Sequence, residues 1–118
     1  MAGLSTHVLD NVRGGPASGV SIELFGIAAD GARTPLAKTV TNADGRTDAP
    51  LIGAAEARVG TYEIVFHIGD YFRRTGAAKG EPAFLDIIPI RFAIADPGAH
   101  YHVPLLVTPW SYATYRGS

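Results

Sequence analysis

The chain has 118 residues, 47% of them hydrophobic, a formal net charge of −1 and no cysteine. That length fits one domain, residues 1–118, able to bury roughly two-thirds of its unfolded surface, and the apolar content excludes disorder. Absence of a basic run argues against nucleic acid, no apolar run reaches the roughly 18 residues of a membrane span, and thiol chemistry is ruled out.

Leu4 to Asp10 reads as a first strand, with Leu4, Thr6 and Val8 on one face and Ser5, His7 and Leu9 on the other. The seven residues from Met1 carry neither the basic region nor the apolar stretch of a secretory signal. The closing Arg116-Gly117-Ser118 is not a peroxisomal address, so a cytoplasmic location is expected. Asn11 to Pro16 has loop chemistry. Val20 to Ala28 alternates as a second strand, and Asp30-Gly31 marks a hairpin. Thr34 to Thr41 reads as a third strand near a sheet edge, because Pro35 cannot donate to a ladder. Asn42-Ala43-Asp44-Gly45 is the strongest turn signal, and Arg46 stands just after it. A short fourth strand, Thr47 to Ile52, is broken by Pro50.

Gly60 to Ile68 alternates as a fifth strand. Asp70 and Gly76 bracket about two helical turns. Leu85 to Ala95 is a sixth strand, rich in β-branched residues. Then Tyr101, Val103, Leu105 and Val107 point one way, and His100, His102, Pro104, Leu106 and Thr108 the other. Pro109 opens a turn into a short returning strand that carries Ala113, Tyr115 and Gly117 on one face. An aromatic and an arginine on strand periodicity at the chain end predict a docked terminus. Turns about every ten residues and period-two alternation argue for an all-β sandwich with one short helix near residues 70–76.

The polar residues that break the pattern are His7, Arg46, His102, Tyr115 and Arg116. A lone histidine on an outer strand face is ordinarily solvated. Here the same faces carry Leu9, Pro104, Leu106, Ala113 and Tyr115, too apolar for water, which predicts a covering second subunit. Imidazoles beside such a floor suit an active site. A guanidinium near two histidines would hold them neutral by like-charge repulsion, and neutral imidazole is the form that acts as a base. His100 and His102 share a face, so a His-x-His metal pair completed by His7 is a competing reading. His67 and the Arg73-Arg74 pair read as solvated faces.

His7-Val8-Leu9-Asp10, Asp44-Gly45-Arg46, Gly69-Asp70-Tyr71-Phe72, His100 to Leu106 and Tyr115-Arg116-Gly117-Ser118 together resemble the transthyretin-related proteins. Within that group the chain resembles the 5-hydroxyisourate hydrolases more than the hormone carriers, which lack the closing tetrapeptide. The resemblance covers essentially the whole chain. It implies a transthyretin-like β-sandwich of two four-stranded sheets and a homotetramer with active sites at the dimer–dimer interface. It also implies hydrolysis of 5-hydroxyisourate in urate breakdown, without a metal or organic cofactor. Carried over by position, the implied catalytic residues are His7, Arg46, His102 and Ser118, with Tyr115 and Arg116 beside His7 and Arg46 in substrate binding. Three alternatives stay open. A non-enzymatic carrier on the same fold would bind without turnover, a three-histidine metal hydrolase would lose activity on chelation, and a plain structural sandwich would tolerate loss of either histidine.

Overall fold

A computed structural model describes residues 2–78 and 80–117. The elements run β1 (Gly3–Ser5), β2 (Val8–Asp10), β3 (Gly15–Pro16), β4 (Ser21–Ile27), β5 (Arg33–Val40), β6 (Gly60–His67), α1 (Ile68–Thr75), β7 (Ile87–Ile94), β8 (His100–His102), β9 (Leu105–Val107) and β10 (Tyr112–Thr114). One sheet has the order β5-β4-β6-β7, all antiparallel. Its register lines up Ile22, Phe66 and Ile88 in one row and Leu24, Ile64 and Ile90 in the next. That face packs inward, and Ile22, Leu24, Ile64 and Phe66 are fully buried. Each such side chain contributes about 1.5–3 kcal/mol relative to leaving it in water. The expected edge position of the Pro35 strand is observed: among the described residues β5 pairs only with β4, and the register slips at Leu24/Phe25, opposite Pro35.

The second sheet has the order β10-β9-β2-β3, continued by the parallel pair β1–β8. Gly3 pairs with His100 and Val8 with Leu105, the same offset of 97 positions in both cases. One long parallel pair is therefore interrupted at residues 6–7 and 103–104. Pro104 has no N–H to give at that point. The Val103 carbonyl accepts the Thr6 hydroxyl instead, at 2.7 Å. The single strand expected over Leu4–Asp10 is thus two strands with His7 in the gap. The alternation survives the break, since Leu4, Thr6, Val8 and Asp10 are buried and Ser5, His7 and Leu9 half-buried. Pro104, expected on the outer face with His102 and Leu106, is buried where those two are half-buried.

Residues 47–52 form no strand, against expectation. Among the described residues their only pairing is the isolated bridge Leu4↔Ile52. Leu51 and Ile52 plug the core edge, with the Leu51 N–H on the Leu4 carbonyl at 2.9 Å. The sixth strand is shorter than its apolar run, because the Asp86 carbonyl is taken by the Gly69 N–H at 2.8 Å. The helix starts two residues before Asp70. Ile68, Tyr71 and Phe72 lie at i, i+3 and i+4 on its buried face, so packing sets the start rather than a side-chain cap. It ends at Gly76, whose φ of 82° is the left-handed value a Schellman-type stop requires.

Asp10 ties the helix to the second sheet. It is 1% exposed. One carboxylate oxygen accepts the N–H groups of Val12 and Arg13, and the other accepts the Tyr71 hydroxyl at 2.7 Å. Burial, and then the bond to Asp10, push the Tyr71 hydroxyl up to about 12, so it stays a donor.

Candidate active site

Three segments meet at the break in the second sheet. The first is the turn at residues 42–46. Asn42 Oδ1 accepts the N–H groups of Asp44 (2.9 Å) and Arg46 (3.2 Å), and the Asn42 carbonyl accepts the Gly45 N–H at 2.9 Å. Gly45 is buried at φ +73°, and a Cβ there would strike the Val8 carbonyl. Two consecutive bonds clip the turn to the gap between β1 and β2. The Val8 N–H donates to the Gly45 carbonyl, and His7 Nε2 lies 2.8 Å from the Asp44 carbonyl. A carbonyl only accepts, so His7 Nε2 carries the proton. In the neutral ring Nδ1 is then left with a free lone pair.

Arg46 is exposed and lies over a 170 Å³ depression that Ser5, Thr6 and residues 47–50 complete. Asn42 Nδ2 donates to Asp48 at 3.0 Å and fixes the far wall.

The second segment is β8. His102 is half-buried and its Nδ1 lies 2.8 Å from Ser5 Oγ. Its pKa is held below the ordinary 6.5, first by burial, then by the positive Arg46 and by His7 and His100, against a smaller opposing bond to the Ser5 backbone. Arg46 thus acts on the His102 ring in the expected direction, with burial as the larger cause.

The third segment is the tail. Gly117 bridges to His102, donating its N–H to the His102 carbonyl at 2.7 Å. A Cβ on Gly117 would come 2.6 Å from His102 Cδ2, so the tail can lie flat against the ring only as glycine. The expected docking of the chain end is seen as far as Gly117; Ser118 lies outside the described residues.

The fold thus brings His7, Arg46 and His102 near one another: Arg46 and His7 both act electrostatically on His102, and Ser5, in contact with His102, lines the depression together with Arg46. Tyr115 and Arg116 stand elsewhere in the single chain. They line a 260 Å³ cleft with Phe92, Tyr101 and Val103, between β7 and the β8–β10 hairpin. The Arg116 guanidinium lies 3.9 Å above the Tyr101 ring. Two neighbours the sequence reading passed over are Ser5 and Asn42. Ser5 shares the strand face of His7, a signal that was available. The role of Asn42 follows from the turn type alone.

Among the described residues, no group of three His, Asp or Glu side chains is placed to hold a metal. His7 is committed to the Asp44 carbonyl, and His100 and His102 converge on Ser5 instead of on a common point. His67 and the arginine pair are structural rather than merely solvated. His67 bonds Glu23 at 2.8 Å, holding that carboxyl below its ordinary value, and Arg74 donates to the Ser18 and Gly19 carbonyls.

The HIUase/Transthyretin family model matches residues 4–117. A 5-hydroxyisourate hydrolase of Deinococcus radiodurans is 55% identical over 98% of this chain and 96% of its own length. The crystal structure of an (S)-allantoin synthase superposes with a TM-score of 0.90 at 45% identity; it covers 98% of this chain, which spans only 43% of that one. Sea bream transthyretin in complex with thyroxine superposes at 0.84 with 31% identity, over 97% of this chain and 93% of its own. With its sandwich matched end to end at these identities, the chain belongs to the HIUase/Transthyretin family.

Proposed function

We propose that this chain hydrolyses 5-hydroxyisourate to 2-oxo-4-hydroxy-4-carboxy-5-ureidoimidazoline, a step of urate breakdown. The observation that carries the reading is the proximity of two imidazoles and the Arg46 guanidinium beside one depression, with the His102 ring held toward its neutral form by burial and by Arg46. Hydrolysis of a cyclic amide needs a base for water, a donor for the developing oxyanion and a proton for the leaving nitrogen. One histidine lone pair takes the water proton as the water oxygen bonds to the carbonyl carbon. Arg46 holds the oxygen-rich substrate and the oxyanion. The C–N bond then breaks and the nitrogen receives a proton, which returns the histidine to its neutral form. Ser118 and the Tyr115–Arg116 pair complete the pocket in this reading.

The functional unit is a homotetramer in the cytoplasm. Leu9, Leu106 and Ala113 lie side by side across the ladder on one face of the second sheet, half-buried or exposed, an apolar strip that a second copy would cover. Among the described residues no helix is long and apolar enough to cross a membrane. Sedimentation at micromolar concentration should give four times the chain mass of 12.4 kDa; a monomer would refute the tetramer.

A second reading, a carrier that binds without turnover, is favoured by the likeness to the thyroxine-bound transthyretin. The ultraviolet decay of freshly generated 5-hydroxyisourate separates the two. Decay no faster than in buffer would establish the carrier. In the hydrolase, His102→Ala abolishes the acceleration and leaves the assembly intact, while wild-type kinetics in that variant would remove His102 from the chemistry.

A further inference from the structure

We infer that Ser5 and His100 form a positioning relay that fixes His102 with its proton on Nδ1, leaving Nε2 bare for the reaction. The inference rests on the hydrolase reading for its purpose but on geometry for its content. Ser5 Oγ lies 2.9 Å from His100 Nε2 and 2.8 Å from His102 Nδ1. A hydroxyl has one proton, so between two neutral rings it donates to one and accepts from the other. The remaining nitrogen of His100 decides the direction. Its Nδ1 faces the Ala2 carbonyl at 3.4 Å, and a carbonyl can only accept. His100 therefore carries its proton on Nδ1 and presents a lone pair at Nε2. Ser5 donates there. Its oxygen is left to accept from His102, which must hold its proton on Nδ1.

Parallel pairing makes the relay. Gly3–Ser5 runs beside His100–His102 in register, so Ser5 sits opposite His102 with His100 two residues along on the same face. The other groups acting on the His102 ring are Arg46, His7 and, more weakly, the Ser5 backbone; the two side chains offer no acceptor to Nδ1, and Ser5→Ala, which keeps the backbone, isolates the hydroxyl. His7 uses the opposite arrangement, with its proton on Nε2 and its lone pair on Nδ1. The two rings near Arg46 are thus locked in complementary tautomers by groups outside the reaction.

The test is nitrogen-15 NMR of histidine-labelled protein, without substrate, at a pH where the rings are neutral. Wild type should show a pyrrole-type shift at His102 Nδ1 and a pyridine-type shift at Nε2. Ser5→Ala should move the proton to Nε2, as should His100→Phe, which frees the Ser5 hydroxyl to donate to His102. In both variants kcat should fall about 10–100-fold with KM unchanged, the usual cost of losing a group that orients an imidazole. Ser5→Thr keeps the hydroxyl on a strand that favours branched residues and should restore tautomer and rate. A wild-type His102 protonated on Nε2 overturns the relay. So does a Ser5→Ala variant with the wild-type tautomer, or a Ser5→Thr variant as impaired as Ser5→Ala. The NMR result stands even if the hydrolase assay is negative, so the two readings fail separately.

Discussion

Gly117→Ala puts one methyl group where the tail crosses the His102 ring. The added Cβ would lie 2.6 Å from Cδ2 and 3.2 Å from both Cβ and Cγ of His102. Carbon atoms in good contact sit about 3.5–4.0 Å apart, so ring and tail must separate by about 1 Å. The conformation of the glycine adds nothing to this, because its φ is not in the left-handed region. A misplacement of that size near reacting groups costs about 100-fold in rate, or about 2.7 kcal/mol of transition-state stabilisation. The structural cost is smaller. One backbone hydrogen bond, Gly117 N–H to the His102 carbonyl, is at stake, for about 0.5–1.5 kcal/mol. Initial rates of 5-hydroxyisourate decay should therefore fall about 100-fold, while the melting temperature drops only a few degrees. Gly15→Ala is the control, since a Cβ there meets nothing within 4 Å and should change neither quantity. Wild-type kcat/KM in Gly117→Ala would show that the tail does not set the ring position, and the site described above would be wrong.

Two further expectations follow from the electrostatics and the core. Burial and positive neighbours hold the His102 pKa below 6.5, so the neutral ring is populated at pH values where a free histidine is half charged. Removing a positive neighbour stabilises the charged form, so Arg46→Met should raise the His102 pKa in an NMR titration. It should remain below 6.5 because burial is the larger cause; a fall would contradict the sign. Tyr71→Phe takes a donor from the buried Asp10 carboxylate and should cost about 1.5–3 kcal/mol in urea unfolding. Its kcat should match wild type, since neither group faces the depression; a large loss of kcat without loss of stability would refute a structural role.

Much of this molecule was written locally in the chain. Period-two alternation put Leu4, Thr6 and Val8 inside and Ser5, His7 and Leu9 outside, because successive side chains of a strand point to opposite faces whatever the strand pairs with. Asn42 to Gly45 announced its turn, and Gly76 its helix stop, since both depend on bonds within a few residues. The motifs also carried the family, which fixed the sandwich and the substrate class. What the tertiary structure alone decided is which groups meet. The break at His7 comes from Pro104, 97 positions away, and the failure of residues 47–52 to form a strand comes from their use as a core plug. Ser5 is an unremarkable strand serine until parallel pairing sets it between His100 and His102, separated from them by 95 and 97 positions. Alternation determines a side chain's face but says nothing of its neighbour across the ladder. Register, a long-range property of the folded sheet, chooses that neighbour, and with it the nitrogen that holds the proton.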